Sequence, residues 1–128
     1  MMLTIVPIYA AVLALAYVVL AGRVVAVRRT ARVSLGSGGD KDLERRIRVH
    51  GNFAEYVPLA LIVLAFVEMQ GAPAWYIHIL ASLLVAARAA HAYGLSTGTL
   101  RFRVLGVIGT FAVLIGGSVS LLRQVAGI

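Results

Sequence analysis

The stretch that decides the fold is RRIRVHGNFAEYVP at positions 45–58, which leads directly into the apolar run LALIVL at 59–64. Residues three or four positions apart share one face of a helix. This spacing places a polar stripe at the start of an apolar helix, and its members are Arg45, Arg48, Asn52 and Glu55. Charged side chains are costly inside a bilayer and tend to mark functional sites. The stretch therefore predicts a membrane helix with a functional polar end.

The composition places the chain among integral membrane proteins. Of its 128 residues, 61% are hydrophobic and only 13% are charged, which is too apolar for a soluble domain of this length. The absence of cysteine excludes disulfides, thiolate metal sites and a cysteine nucleophile. A net charge of +7 is compatible with nucleic-acid binding, but the basic residues lie beside hydrophobic segments. That arrangement favours charge asymmetry across a membrane, so nucleic acid is not a predicted partner.

Four apolar segments predict a single all-α domain, an integral membrane four-helix bundle spanning 1–128. The predicted helices cover about 3–27, 41–69, 73–94 and 100–123. Asp40 is suited to be the N-cap of the second helix, and Gly71 and Pro73 separate the second helix from the third. On the fourth helix, small residues at positions 112, 116 and 120 form a stripe suited to close helix packing.

The distribution of arginine and lysine predicts the orientation in the membrane. The loops after the first and third helices are basic, whereas the connection at 68–73 has no positive charge. Basic loops remain on the cytoplasmic side, so both termini should lie outside. The composition fits a bacterial inner membrane. Glu68, close to the outer boundary, is expected to be solvated.

The helix ends on the basic side bring polar side chains to one depth. These side chains are Arg29 of the first helix, Arg48, Asn52 and Glu55 of the second, Arg88 and His91 of the third, and Arg101 and Arg103 of the fourth. The set contains several cations, one carboxylate and one amide. Arginine binds carboxylates bidentately and stays charged, so the set complements a small zwitterion with more than one carboxylate and one ammonium group.

The run Arg48-x-x-x-Asn52-x-x-Glu55-Tyr56-x-Pro58 resembles the signature of the MAPEG family, the membrane-associated proteins in eicosanoid and glutathione metabolism. The segments at 28–34 and 87–94, and the Leu-Arg pair at 100–101, are also similar to this family. The resemblance therefore covers essentially the whole chain, including helix number and loop order.

The resemblance implies a homotrimer that binds glutathione between adjacent protomers at the cytoplasmic side. The glutathione contacts that it implies are Arg29, Arg48, Asn52, Glu55, Tyr56, Arg88 and His91, with Glu55 on the γ-glutamyl ammonium. Arg101 matches the arginine that stabilises the glutathione thiolate, and Arg103 is a rival because the preceding loop is shorter than in the leukotriene synthases. Those synthases carry tyrosines where this chain has His91 and Leu95, so part of the glutathione contact should differ.

The predicted function is a glutathione-dependent transferase-like enzyme, in which the thiolate conjugates or reduces a hydrophobic electrophile delivered from the membrane lipids. No metal is required. Two alternatives stay open: a non-catalytic scaffold or lipid-binding family member, and a small proton-coupled transporter, which is disfavoured because the first helix has no acidic residue. The same residues also have a structural interpretation instead of a ligand-binding one. Arg48 and Glu55 would form an ion pair, and Asn52 would form an interhelical hydrogen bond.

Overall fold

The computed structural model describes residues 2–128, which form four helices. They are α1 (Val6–Ala31), α2 (Lys41–Met69), α3 (Ala74–Thr97) and α4 (Leu100–Ala126). No strand occurs in this described part of the chain. All four helices are long and apolar enough to cross a membrane. The prediction of an all-α integral membrane protein with four spanning helices is thereby confirmed.

Three of the four helices, α1, α3 and α4, end three or four residues later than the hydropathy suggested. Helix α1 continues to Ala31 and includes Arg28 and Arg29 in its last turn, where cations are favourable next to the negative end of the helix dipole. It stops at Arg32, which adopts a left-handed conformation with φ 54°. A helix can continue beyond the apolar segment that crosses the hydrocarbon. The basic residues that follow this segment are therefore still part of α1.

The start of α2 follows the predicted capping pattern. The Asp40 side chain accepts a hydrogen bond from the backbone N–H of Leu43 at 2.9 Å, as an N-cap does. At the other end, Gly71 takes a positive φ of 85° directly after the last turn. Pro73 is the N-cap of α3, whose first helical residue is Ala74. These caps fix which residues of α2 and α3 lie at the ends of the bundle.

The closest helix contact joins α3 and α4 through glycine. A Cβ atom built on Gly106 would lie 2.6 Å from both the carbonyl oxygen of Ala87 and the backbone nitrogen of His91. The buried face of α4 consists of Gly106, Thr110, Val113 and Gly117. The stripe predicted at 112, 116 and 120 lies beside this buried face: Ala112 is exposed and the other two positions are half-buried, and Gly116 accepts a hydrogen bond from the Tyr76 hydroxyl of α3.

Glu68 is buried, so the prediction that it is solvated was wrong. Its side chain is 5% exposed and accepts hydrogen bonds from the backbone N–H groups of Thr4, Ile5 and Val6 at 2.7 to 2.8 Å. The first N–H groups of a helix lack partners within the helix, and the N-cap residue of α1 offers no side-chain acceptor. The carboxylate from the end of α2 supplies the acceptors and joins the two helices.

The hydrophobic core is built mainly by α2 and α3, to which α1 adds two buried residues and α4 adds Val113. Only Val6 and Leu13 of α1 are buried, while many of its other large apolar side chains are exposed. Exposed apolar surface on a spanning helix suits contact with lipid tails or with another membrane helix. Helices α2, α3 and α4 together build the polar end described next.

Candidate functional site

A cavity of about 340 Å³ lies where the start of α2, the end of α3 and the start of α4 meet. We call it the basic cavity, and its lining residues are Lys41, Glu44, Arg45, Arg48, Asn52, His91, Leu95 and Arg103. Four of these side chains are cationic and one is a carboxylate. The volume lies at the lower end of the range of roughly 300 to 1,000 Å³ found for small-molecule sites. The basic cavity is therefore suited to a small, mainly anionic ligand.

Helix α2 builds one wall of the basic cavity from a single face. Its lining residues occur at positions 41, 44, 45, 48 and 52, each of which lies three or four residues from another member of the set. The N-cap at Asp40 determines that Lys41 begins the helix and thereby sets this face. Three members of the polar stripe recognised in the sequence, Arg45, Arg48 and Asn52, belong to this wall, and Lys41 and Glu44 extend it toward the helix start.

Helix α4 contributes Arg103, whereas Arg101 does not line the basic cavity. Residues two positions apart point about 200° apart on a helix, so only one of the two arginines can face inward. Gly94 of α3 allows this approach, because a Cβ atom there would overlap the backbone nitrogen of Arg103. The structure thus separates two residues that the sequence left as rivals.

Arg88 lies beneath the basic cavity in a buried hydrogen-bonded cluster. Its side chain is 3% exposed, and its Nη2 donates to Asn52 Oδ1 at 2.6 Å while its Nη1 donates to Thr110 Oγ1 at 3.2 Å. The guanidinium carbon also lies 6.0 Å from the centre of the Phe53 ring. Within residues 2–128, no carboxylate forms an ion pair with Arg88. Asn52 therefore makes the interhelical hydrogen bond that was considered as its structural role.

His91 and Leu95 lie one turn apart on the α3 wall of the basic cavity. The resemblance drawn from the sequence implies tyrosines at these two positions in the leukotriene synthases, and both positions line the cavity. His91 is 2% exposed, and its Nδ1 has no hydrogen-bond partner in the described chain. The α3 wall consequently offers an imidazole and an apolar side chain in place of two phenol hydroxyls.

The other predicted contacts lie outside the basic cavity. Glu55 Oε1 is 3.9 Å from Arg48 Nη1, and both side chains are more than half exposed, which makes this a weak ion pair. The Tyr56 ring packs against Phe111 with 5.8 Å between ring centres. Arg29 is exposed at the end of α1. Within the chain, these three residues are not brought together with the cavity.

Four residues of this region were not predicted as site residues: Lys41, Glu44 and Arg45 of the basic cavity, and Thr110 beside Arg88. Glu44 is the carboxylate that lines the basic cavity, and its spacing of four to Arg48 and eight to Asn52 was a signal for it. Thr110 is 1% exposed and binds Arg88, and a polar residue inside an apolar span was the available signal. Neither signal identifies a site residue until it is known which helix faces contact each other.

Comparison with known proteins agrees with the resemblance. The sequence model of the MAPEG family matches residues 6–123. Inner membrane protein YecN of Escherichia coli strain K12 is 38% identical over 108 residues, which cover 84% of this chain and 82% of the relative. The YecN protein of strain O6:H1 matches equally. No solved structure matches the chain significantly.

The family includes glutathione transferases. Four apolar helices and a relative named as an inner membrane protein support an integral inner-membrane location. The match spans all four helices and contains every residue that lines the basic cavity. This chain belongs to the MAPEG family.

Proposed function

We propose that this protein is a glutathione-dependent transferase-like membrane enzyme, which uses the glutathione thiolate to conjugate or reduce a hydrophobic electrophile. The observation that carries the proposal is the basic cavity, which combines four cations, one carboxylate and an amide. Glutathione has two carboxylates and one ammonium group, so its charges complement those of the lining. Membership of a family that includes glutathione transferases supports the same ligand.

Arg48 and Asn52 are the proposed contacts for the glutathione carboxylates and carbonyls, and Arg88 supports them from below. An arginine fork binds a carboxylate through two charge-assisted hydrogen bonds, each stronger than a neutral one. The ammonium group requires a carboxylate, and Glu44 is the one inside the basic cavity. Glu55, the carboxylate implied by the family signature, lies further along α2 and outside the cavity of its own protomer.

A homotrimer would explain why several signature residues lie outside the basic cavity. Glu55, Tyr56 and Arg29 have no place in the cavity of one protomer, but they could contact a ligand held between two protomers. The exposed apolar surface of α1 offers area for such an assembly within the bilayer. The basic end is proposed to face the cytoplasm, because most of the arginines lie at this end, on the helix ends and the loop after α1.

The proposed chemistry is activation of the glutathione thiol by an arginine on α4. A free thiol of pKa about 8.5 is only a few per cent ionised at neutral pH, and the thiolate is the nucleophile. Arg103 lines the basic cavity and is therefore the proposed stabiliser of the thiolate, with Arg101 as the alternative. The second substrate would be a hydrophobic electrophile that reaches the site from the lipid phase.

Calorimetric titration of glutathione into the detergent-purified protein tests this function. The wild type should bind glutathione, and Arg48→Leu should weaken the affinity by about 10- to 100-fold, because a charged hydrogen-bonding partner contributes roughly 1.5 to 3 kcal/mol. Arg23→Leu is the matched control, since Arg23 is exposed on α1 and does not line the basic cavity.

The outcomes distinguish the possible functions. No binding to the wild type at millimolar glutathione would contradict the proposal and favour a scaffold or lipid-binding role. Equal losses in Arg48→Leu and Arg23→Leu would show that the ligand responds to overall charge and not to this cavity. Proton-linked uptake by vesicles containing the protein would instead favour the transporter.

A further inference from the structure

The side-chain amide of Asn52 is held in one orientation. A guanidinium group has only donors, so the Asn52 atom that lies 2.6 Å from Arg88 Nη2 must be the amide oxygen. The amide nitrogen is then directed elsewhere, and it donates to no protein group within residues 2–128. Because Asn52 lines the basic cavity, its two N–H donors are available to a ligand.

Thr110 fixes the group that holds Asn52. Its hydroxyl donates its single hydrogen to the carbonyl oxygen of Gly106 at 2.8 Å. The hydroxyl oxygen can then only accept from Arg88 Nη1, which lies at 3.2 Å. A reversed Asn52 amide would place an NH₂ group against Arg88 and leave buried donors unpaired, which costs more than the bonds themselves contribute. The donor and acceptor of each hydrogen bond that links Gly106, Thr110, Arg88 and Asn52 are therefore fixed.

We propose that Thr110 is a positioning residue of the glutathione site, acting through Arg88 to present Asn52 to the ligand as a donor only. The ligand group beside the Asn52 NH₂ is then an acceptor, either a carboxylate or a peptide carbonyl, and not the ammonium. This assignment rests on the proposed function for the identity of the ligand. The orientation of the amide does not depend on it.

The position of Glu44 agrees with this assignment. It lies eight residues before Asn52 on the same face of α2, which corresponds to about 12 Å along the helix axis. The two ends of the basic cavity therefore differ in chemistry, since one offers a carboxylate and the other offers amide donors. Within this cavity, these contacts favour a zwitterionic ligand with its ammonium at Glu44 and an acceptor at Asn52.

Asn52 is the only asparagine in the 128 residues, which allows a direct test. Full-length protein labelled with ¹⁵N-asparagine should give one side-chain amide signal pair in its NMR spectrum. Thr110→Val keeps the shape but removes the hydroxyl, so this pair should shift or broaden before any ligand is added. Thr110→Ser retains the hydroxyl and should restore the wild-type signal. Thr110→Ala serves if the valine variant does not fold, which thermal unfolding will show.

Glutathione titration then adds the functional readout. In the wild type, one amide proton of Asn52 should move downfield as it donates to the ligand, and Thr110→Val should raise the dissociation constant by about five- to tenfold, as for loss of one hydrogen bond. Thr110→Ser should bind as the wild type does. Asn52→Asp, which can still accept from Arg88 but cannot donate, should lose at least as much affinity as Thr110→Val.

The outcomes test the positioning role of Thr110 and the identity of the ligand separately. An Asn52 signal that is identical in the wild type and in a folded Thr110→Val or Thr110→Ala variant would overturn the positioning role. Undiminished affinity in Asn52→Asp would overturn the claim that Asn52 acts as a donor. A signal that responds to Thr110 but not to glutathione would support the positioning role while contradicting glutathione as the ligand.

Discussion

Arg103→Leu should lower the rate of glutathione conjugation to an aryl halide by about tenfold or more at neutral pH. Lowering a thiol pKa from about 8.5 by two units requires roughly 2.7 kcal/mol of preferential thiolate stabilisation. A charge-assisted hydrogen bond from one arginine contributes roughly 1.5 to 3 kcal/mol, which is enough to supply this. Without Arg103, most bound glutathione would remain protonated. The measurement is the initial rate at saturating glutathione.

The loss of conjugation rate in Arg103→Leu should become smaller as the pH rises. The wild type holds its thiolate at neutral pH, so its rate should change little as the pH rises from about 7 to 9. The variant must wait for the unassisted thiol to ionise, and its rate should approach that of the wild type as the pH passes about 8.5. A ratio of rates that stays constant over this range would indicate that Arg103 does not act on the thiol.

Arg101→Leu is the matched control for this experiment. Arg101 lies two residues before Arg103 on α4 and is exposed outside the basic cavity. Its removal changes the net charge by the same amount and should leave the rate nearly unchanged. The reverse result would transfer the role to Arg101. Unchanged rates in both variants would contradict thiol activation by an arginine of α4.

Gly106→Ala should strongly destabilise the protein. The new Cβ atom would lie 2.5 Å from His91 Cβ and 2.6 Å from the Ala87 carbonyl oxygen, so α3 and α4 would have to separate. Overpacking a tight contact typically costs about 1 to 3 kcal/mol, and we expect the upper end because backbone atoms are involved. Thermal unfolding in detergent should show the loss. The shift would also displace His91 from the basic cavity.

Gly22→Ala provides the comparison for the same chemical change. Gly22 lies inside α1, and no atom lies within 4 Å of a Cβ built on it. Alanine is favoured over glycine in a helix by roughly 1 kcal/mol, so this variant should be as stable as the wild type or more so. If Gly106→Ala were tolerated equally well, the close contact between α3 and α4 would be contradicted.

The four helices could be predicted because their causes are local. Hydropathy over about 20 residues identifies a span, and Asp40 is recognisable as a cap from its position before the helix. The role of Glu68 could not be predicted in this way. Its partners are backbone N–H groups 62 to 64 residues earlier, and backbone groups leave no pattern in a sequence. Only the packing of α2 against α1 reveals them.

The candidate site was predictable along each helix but not between helices. The spacing of Arg48 and Asn52 identified one face, and that face lines the basic cavity. The choice between Arg101 and Arg103 stayed open in the sequence because it depends on the rotation of α4, which the contact at Gly94 sets. Thr110 was missed for the same reason, since its importance comes from the buried Arg88 of another helix.

The ultraviolet absorption of the thiolate during glutathione binding tests the central claim most directly. Glutathione added to the wild-type protein at neutral pH should develop thiolate absorption in proportion to occupied sites. S-methylglutathione, which has no ionisable thiol, should bind without it. Arg103→Leu should bind glutathione with the absorption greatly reduced, and Arg101→Leu should retain it. Glutathione that binds to the wild type without any thiolate absorption would contradict the account.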